Sequence, residues 1–425
     1  MAVIKQRDYI TVHDGHLYQD HVGDQLKTKF GDADHGNGSG NGNGLAILQP
    51  TKAQITEALN GTYELYLEHP ISDNDKRWMY LQSDNIIRAK GQLFRICKVG
   101  TKMKGKTRTV QAMHIFYDLA AKDLGDLAMD GWTGYWFLKN TYDTIPPNTG
   151  VQNFYFRQYD FKYSTDLGAN PGPDAPLGYA IFNNANFVSC IIGTENPMTS
   201  IYMKTVDGKE ITPELYRDNF YFSVNWRKEH AVDDAFKIVH KVDMTDIEFV
   251  HDVTDVAQRI FIQDNYGHVF SDSRYPTTEE RQGWYPAILR EKYVKFQYSN
   301  EENNGNIVAR FQQDAKRYWQ TVKEPKISVK VSYADLSKTE LYKDYIAAKH
   351  CNVGDTGTVK NEELGIEAKL KVVRKTTDIL KDEVDSIEFG NLAATITAPK
   401  AMSQTINNSK FNYSEVLPIG DVPTS

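Results

Sequence analysis

The stretch that decides the fold is Thr62-Tyr63-Glu64-Leu65-Tyr66-Leu67-Glu68, in which large apolar side chains alternate with acidic ones. Successive side chains of a β-strand point to opposite faces, so Tyr63, Leu65 and Leu67 share one face while the acidic residues take the other. Similar runs follow at 93–99 and 109–116, separated by turn residues. Three strands at this spacing predict an antiparallel barrel or sandwich near the N-terminus.

The composition is typical of a large, β-rich globular protein. Among 425 residues there are 25 Tyr, 19 Phe and 6 Trp, and Tyr and Phe favour strands. The net charge is −7 and is evenly spread, which argues against a protein that binds duplex DNA through a basic surface. The N-terminus lacks the apolar core of a secretory signal, and no apolar run is long enough to span a membrane. We therefore expect a soluble chain, made in a cytoplasm, without a membrane anchor.

Changes in the pattern divide the chain into five parts. Residues 1–120 are predicted to form a β-domain that carries a flexible Gly/Asn-rich loop at 31–44. Residues 121–205 are predicted to form a smaller, loop-rich domain. A second β-domain consists of 206–242 together with 323–398, and an α+β domain at 243–322 is inserted into it. Residues 399–425 are predicted to be a polar tail.

Local patterns within the second half of the chain predict its individual elements. The spacing of apolar residues predicts a helix over 306–322, which Pro325 ends. Alternation or short apolar runs predict strands at 219–226, 236–242, 248–250, 293–296, 327–333, 369–373 and 384–389, and helical spacing predicts a second helix over 338–350.

The candidate loops and histidines do not match a known site. The Gly/Asn-rich loop fails the motifs that bind dinucleotides, phosphate or calcium, and it also fails the G-x-S-x-G turn of hydrolases. His13, His16 and His21 lie close together, but their spacing fits no zinc class. A flexible surface loop and a solvated N-terminal turn are the preferred interpretations.

The cysteines and paired carboxylates are equally uninformative. Cys97, Cys190 and Cys351 are far apart, which is typical of buried free thiols in a reducing compartment. His350 next to Cys351 invites comparison with a thiol protease, but adjacent side chains point in different directions. The carboxylates at 233–234, 279–280 and 362–363 diverge for the same reason. The sequence therefore predicts no catalytic, cofactor-binding or metal-binding residues, and no cofactor.

Several blocks of sequence resemble one family of phage proteins. The blocks are Asn60-Gly61-Thr62-Tyr63-Glu64-Leu65 with Glu68 and Pro70, Gly91-Gln92-Leu93-Phe94-Arg95-Ile96, Val110-Gln111-Ala112-Met113-His114-Ile115 with Tyr117-Asp118-Leu119, Arg217-Asp218-Asn219-Phe220, Val353-Gly354-Asp355-Thr356, Leu364-Gly365-Ile366, Thr377-Asp378-Ile379-Leu380, and Ser386-Ile387-Glu388-Phe389-Gly390-Asn391. In this order they resemble the prophage tail family of phage minor structural proteins, also labelled prophage endopeptidase tail or tail-associated lysin. The resemblance spans about residues 45–392.

The resemblance implies a mainly β fold with α+β parts, similar to the baseplate hub of contractile-tailed phages. Such a hub has two related antiparallel β-barrels, here 1–120 and 206–242 with 323–398, plus two smaller domains. It implies a homotrimer that closes the distal end of the tail tube and opens for DNA passage during infection, without sequence-specific DNA binding. The implied location is the virion tail tip, assembled in the host bacterial cytoplasm. The implied partners are the distal tail protein, the tape-measure protein, and receptor-binding or fibre proteins.

The family label leaves two other functions open. Many members continue into a peptidoglycan lysin or a sugar-binding module, whereas this sequence stops soon after Asn391. We therefore expect a structural protein and not an enzyme. The alternatives are a tail-associated peptidoglycan hydrolase (endopeptidase) that uses one of the weak His/Asp groupings, or a carbohydrate-binding tail module suggested by the many Tyr and Trp residues.

Overall fold

A computed structural model of the chain describes residues 9–13, 45–121, 123–143, 161–168, 176–193, 197–206, 209–239, 244–257, 259–270, 290–298, 307–323, 326–333, 351–361, 363 and 366–390. The strands are β1 (Thr11–His13), β2 (Ala46–Ile47), β3 (Lys52–Ala58), β4 (Tyr63–Pro70), β5 (Ile86–Ala89), β6 (Gln92–Lys102), β7 (Thr107–His114), β8 (Asp123–Trp132), β9 (Lys162–Ser164), β10 (Gly178–Asn186), β11 (Lys204–Val206), β12 (Lys209–Ile211), β13 (Glu214–Asp218), β14 (Tyr221–Asn225), β15 (Phe236–Val239), β16 (Met244–Asp252), β17 (Arg259–Asp264), β18 (Glu291–Phe296), β19 (Lys326–Tyr333), β20 (Thr356–Asn361), β21 (Ile366–Asp378) and β22 (Glu383–Gly390). The α-helices are α1 (Gly134–Asp143), α2 (Phe187–Ile192), α3 (Met198–Ile201) and α4 (Ile307–Val322), and 3₁₀ helices cover Lys76–Tyr80 and Ile115–Ala121. The fold is mainly β, as the sequence predicts.

One large sheet of thirteen strands joins the two halves of the chain. Its order is β16-β19-β22-β21-β3-β4-β7-β6-β5-β1-β2, with β20 beside β21 and β15 beside β20. Strand β21 lies where the halves meet. One of its edges pairs with β22, while the other pairs first with β20 and then, through Arg374 to Asp378, with β3. Residues about 320 positions apart in the chain are therefore neighbours in one sheet.

The N-terminal half of the sheet forms as the alternation predicts. Tyr63, Leu65 and Leu67 of β4 are buried, and the predicted strands at 93–99 and 109–116 correspond to β6 and β7. Strand β7 has the predicted length but lies two residues earlier, and it ends at His114 because Ile115 and Phe116 are both fully buried. Consecutive residues of a strand cannot both face one core, so the chain turns there into a 3₁₀ helix.

The segment at 121–205 contains longer elements than its loop-rich pattern predicts. The ten-residue strand β8 pairs with β10, and residues of α1, α2 and α3 join them in a common core. Gly125 and Gly131 take positive φ angles within β8, and the pairing with β10 shifts register three times. These irregularities break the alternation by which a strand is recognised from sequence.

The segment at 243–322 contains the predicted helix and one strand that pairs elsewhere. Helix α4 matches the predicted bounds, and Phe311, Ala315 and Val322 are buried in a core with the parallel pair β17–β18. Strand β16, placed by sequence at the start of the insertion, pairs antiparallel with β19 and so belongs to the large sheet. Alternation identifies a strand but not its partner, because strand pairing depends on residues distant in sequence.

Some predicted features lie outside the described residues, namely the Gly/Asn-rich loop at 31–44, the helix over 338–350 and the tail at 399–425. Within the described part of the chain, no helix has both the length and the apolar character needed to cross a membrane. The large sheet does not close into a barrel in this part of the chain either. The two barrels and the domain boundaries stay predictions.

Candidate functional site

The histidine grouping near the N-terminus is represented by His13, since His16 and His21 lie outside the described residues. His13 is buried in β1, and its Nε2 lies 2.8 Å from Oγ1 of Thr11. Burial, and secondarily the positive charge of Arg88, lowers the pKa of His13 to about 4, so the ring is neutral at pH 7. Across the described ranges, no three His, Cys, Asp or Glu side chains are grouped as a metal ion requires.

The prediction of buried thiols is confirmed for Cys190 and Cys351 and is wrong for Cys97, which is exposed. Cys97 lies where the β6–β7 pairing shifts register, between Ile96 and Lys98, and both Cys97 and Lys98 face solvent. Burial raises the pKa of the Cys190 and Cys351 thiols to about 12. Both are therefore protonated at neutral pH and are poor nucleophiles.

The adjacent carboxylates at 233–234 have separate partners near the start of β15. Asp233 accepts a hydrogen bond of 2.8 Å from Oγ1 of Thr356 and lies 3.0 Å from Arg227. Asp234 pairs with Lys369 at 2.9 Å. The hydrogen bond from Thr356 is the main cause that lowers the pKa of Asp233. Both carboxylates at 233–234 thus contact side chains of the same chain. The pairs at 279–280 and 362–363 lie wholly or partly outside the described residues.

The strongest candidate site is built on the hairpin of β13 and β14. The strand predicted over 219–226 begins two residues later, at Tyr221, because Asn219 and Phe220 form the hairpin turn. Asn219 has a φ of +48°, a conformation that Asn tolerates better than most residues. This turn places Arg217, the second-last residue of β13, against the ends of the N-terminal strands.

Arg217 is only 3% exposed, and its guanidinium is enclosed by oxygen atoms and aromatic rings. Nη1 donates to the carbonyl of Gly61 and to the hydroxyl of Tyr117, both at 2.6 Å, and Nη2 donates to the carbonyl of Ala58 at 3.0 Å. The guanidinium carbon lies 5.3 Å from the ring centre of Tyr63 and 5.8 Å from that of Tyr117. These contacts replace part of the hydration that a buried cation loses.

Gln92 holds the turn of the same hairpin. Its Nε2 donates to Asp218 at 2.9 Å, and its Oε1 accepts from the backbone N–H of Asn219 at 3.2 Å. The same Oε1 also accepts from Nε2 of His114 at 3.0 Å. Asn219 returns a bond of 3.0 Å from Nδ2 to the carbonyl of Gly91. One amide side chain thus connects the β5–β6 turn, the end of β7 and the β13–β14 turn.

His114 is fully buried, and both of its ring nitrogens are engaged. Nδ1 accepts from the N–H of Phe116 at 3.2 Å while Nε2 donates to Gln92, which requires the neutral ring. The ring stacks on that of Tyr63, with 4.7 Å between the ring centres and 5° between the ring planes. Burial, and secondarily the positive charge of Arg217, holds the pKa of His114 well below its ordinary value. Burial likewise holds the pKa of Tyr63 well above its ordinary value.

Asn60 completes the group from the β3–β4 turn. Its Nδ2 donates to the carbonyl of Pro213 at 2.9 Å, and its Oδ1 accepts from the N–H of Leu215 at 2.8 Å. A side-chain amide therefore pairs with the start of β13 as a neighbouring strand would. We call the following set the Arg217 junction: Asn60, Tyr63, Gln92, His114, Tyr117, Arg217 and Asn219.

A second buried cluster lies at the other end of β13. The carboxylate of Glu214 pairs with Nζ of Lys371 in β21 and accepts from the N–H of Lys228 at 2.8 Å. Nζ of Lys228 lies 2.9 Å from both Glu57 Oε1 in β3 and the carbonyl of Val353. We call these side chains the Glu214 cluster. It ties β13 to the place where β3 and β21 pair.

The two clusters attach one hairpin to both halves of the large sheet. Their bonds join positions up to 159 residues apart in the chain. They present buried cations, carbonyls and rings and are suited to holding these elements in a fixed arrangement. In the sequence, most members of the Arg217 junction stand out only as parts of the resembling blocks, and no local pattern indicates a role for them. The convergence of four resembling blocks on one site is the signal that could have found it.

Comparison with known families finds two matching models. The prophage endopeptidase tail N-terminal domain matches residues 37–114, and the prophage endopeptidase tail matches residues 232–399. Together they cover more than half of the chain. No curated protein matches it.

Several solved structures of phage tail proteins match this chain. The prophage tail protein gp18 of Listeria monocytogenes matches with a TM-score of 0.51 and 14% identity, over 85% of this chain and 95% of that one. The tail protein of Neisseria meningitidis matches with a TM-score of 0.49 and 14% identity, over 81% of this chain and 94% of that one. The 43 kDa tail protein of prophage MuSo2 from Shewanella oneidensis matches with a TM-score of 0.46 and 11% identity, over 83% of this chain and 95% of that one.

Proposed function

The chain belongs to the prophage tail family, and from this we propose that it is the structural hub of a phage or prophage tail tip. In this proposal three copies form a ring that closes the distal end of the tail tube and opens for DNA during infection. The observation that carries the proposal is the family match, which covers parts of both halves of the chain.

The layout of the large sheet supports a rigid structural role. Strands β3 and β21 pair directly, and the Glu214 cluster crosses the same boundary with buried ion pairs. Breaking one partner of such a buried pair is costly, because the other charge is left without compensation. The two halves are therefore held together as one body, as a component of a force-bearing ring requires.

The proposed architecture has one β-barrel in each half of the chain. The first would comprise 1–120, and the second 206–242 with 323–398, with the smaller domains at 121–205 and 243–322. Strand β16, which pairs with β19, would then belong to the second barrel. The proposed neighbours are the distal tail protein, the tape-measure protein and receptor-binding or fibre proteins, and DNA would pass without sequence-specific contacts.

We propose no hydrolytic role for this chain, although the family name includes the word endopeptidase. The thiol of Cys351 is buried and protonated at neutral pH, and His13 is buried with its Nε2 against Thr11. Neither group is placed to attack an external substrate, because a nucleophile or base must reach the atom on which it acts.

The test is the mass and shape of the purified full chain. Light scattering after size exclusion should give three times the chain mass of 48.4 kDa at high protein concentration, and negative-stain images should show rings with threefold symmetry. Incubation with purified peptidoglycan should release no more muropeptide or reducing sugar than buffer, with a commercial muramidase as positive control. A chain that stays monomeric at every concentration, or that cleaves peptidoglycan, would overturn the proposal.

A further inference from the structure

Strand β6 has an open edge beyond the point where β5 leaves it. Strand β5 pairs with β6 up to Arg95. Two last backbone bonds on this side join Ile96 to the residues before β5, since its N–H donates to the carbonyl of Asn85 and its carbonyl accepts from the N–H of Asp84. From Cys97 to Lys102, the described residues provide β6 with a partner on one side only, which is β7. The other side presents N–H and C=O groups that a further strand can pair with.

This open edge of β6 is strongly basic. Lys98 and Lys102 are exposed on it, and the turn that follows adds Lys104 and Lys106, with no acidic residue between 97 and 106. Lys102 lies 3.8 Å from Glu68 of its own chain, but its side chain keeps 66% of its surface exposed. The edge therefore favours an acidic partner.

Strand β16 is an edge of opposite charge at the far end of the same sheet. Among the described strands it pairs with β19 alone. Glu248 and Asp252 share one face of it, since they are four residues apart, and their positions lie opposite those of Lys330 and Lys326 in β19. Glu248 is exposed, and Val250 between the acids is 46% exposed. Six strands separate β16 from β6 in the sheet order, and the two edges do not pair within one copy.

We propose that the β6 edge of one copy pairs antiparallel with the β16 edge of the next copy, with Lys102 opposite Glu248. The same register places Lys98 opposite Asp252 and Gly100 opposite Val250. Both charged pairs then place unlike charges opposite each other on one face. The contact is head-to-tail, and such a contact closes into a ring when the rotation between copies divides a full turn, as the proposed threefold ring on which the inference rests requires.

A second copy of the chain offers complementary charge to both edges, whereas a polyanion offers it only to the β6 edge. A nucleic acid would neutralise the lysines of β6 and would be repelled by the acids of β16. A copy of this chain brings each edge its complement and also satisfies the backbone groups of both strands. The charges select the partner and the register, while the backbone hydrogen bonds supply most of the affinity.

Charge reversal tests the partner. By sedimentation velocity of the full chain, Lys98→Glu with Lys102→Glu should weaken self-association at least about tenfold, and Glu248→Lys with Asp252→Lys should do the same. The chain that carries all four changes should self-associate as the wild type does, because the complementary charges have then only exchanged places. Lys76→Glu with Lys162→Glu changes the net charge equally at two other exposed lysines and should leave association intact.

A crosslink tests the register. Cys97 is exposed and lies opposite residue 253 in the proposed pairing, whereas Cys190 and Cys351 are buried. In the Val253→Cys variant, a short bis-maleimide should join copies into covalent oligomers on a denaturing gel. The same variant combined with Cys97→Ser should stay monomeric on the gel.

The outcomes separate this inference from the proposed function. If the wild-type chain does not self-associate, the hub proposal fails and this inference fails with it. If the wild-type chain forms trimers that both charge-reversed pairs leave unchanged, or if no crosslink forms through Cys97, the inference is overturned and the hub proposal stands. A duplex oligonucleotide that binds the wild-type chain and releases on Lys98→Glu with Lys102→Glu, without any change in association, would also overturn it.

Discussion

Replacing Arg217 with methionine should open the β13–β14 hairpin while leaving the large sheet folded. Methionine keeps much of the apolar length of the side chain and removes the guanidinium. Three hydrogen bonds are lost, to Gly61, Tyr117 and Ala58. The loss is local because these bonds attach the hairpin to the turns of the N-terminal strands.

The size of the free-energy loss depends on which hydrogen bonds the carbonyl acceptors keep in the variant. Bonds from a charged donor contribute about 1.5–3 kcal/mol each in mutational series. The carbonyl of Ala58 still accepts from the N–H of Gly61 at 3.2 Å, and the carbonyl of Gly61 still accepts from Tyr117, so neither is left without a partner. Removing the cation also removes the cost of burying it. We therefore expect a net loss of about 3 kcal/mol, or about a hundredfold in the opening equilibrium of the hairpin.

Hydrogen exchange followed by mass spectrometry of the full chain measures this opening directly. Peptides from residues 214–225 should exchange about a hundredfold faster in Arg217→Met. Arg217→Lys should lie between the variant and the wild type, because lysine keeps the charge but loses the planar fork. Arg259→Met removes a cation that forms an exposed ion pair with Glu291 at 2.7 Å, and should change protection by less than about 1 kcal/mol. Unchanged exchange at 214–225, or equal acceleration in all peptides, would refute the assignment of Arg217 to this junction.

Three further predictions concern buried and exposed groups. The pKa of His114 is lowered in the folded chain, whereas a histidine in the unfolded chain has a pKa of about 6.5. As the pH drops from 7 to 5, the unfolded chain therefore takes up the proton first, and the urea midpoint of unfolding should fall. In His114→Phe this fall should be smaller. Glu214→Gln should lower the free energy of unfolding by about 3–5 kcal/mol in urea titrations, because Lys371 is left buried without its counter-charge. Iodoacetamide should modify Cys97 alone in the folded chain, and Cys190 and Cys351 only after denaturation, as read by intact mass.

Each of these predictions has a control. A urea midpoint that is equally sensitive to pH in His114→Phe would contradict the role given to this histidine. For Glu214→Gln the matched change is Asp234→Asn, whose ion pair with Lys369 is exposed and should contribute less than about 1 kcal/mol. Two or three alkylated thiols in the folded chain would show that the buried cysteines are accessible.

Elements with a strong local period could be predicted from sequence. The alternation of β4 and the helical spacing of α4 appear in the structure at nearly the expected bounds, because one buried face imposes a period of two or 3.6 residues. Strand β8 was missed because glycines with positive φ and register shifts interrupt its alternation. The exposure of Cys97 was missed because a bulge in strand pairing leaves no mark on composition.

The candidate site could not be derived from local pattern. Arg217 reads as one polar residue in a short strand, and its burial depends on Gly61, Ala58 and Tyr117, which are 100 or more residues away. The same holds for Glu214 and Lys371. Buried charges of this kind are placed by partners that only the folded chain brings together.

By itself, the sequence determined the mainly β class, many of the strands and the membership of the prophage tail family, since periodicity and motif blocks are properties of neighbouring residues. Tertiary structure alone decided that β3 pairs with β21, that β16 belongs to the large sheet, and that two buried clusters fasten one hairpin to both halves. The physical reason is that strand pairing and the compensation of buried charge are long-range interactions. Each depends on which distant groups lie within hydrogen-bonding distance after the chain has folded.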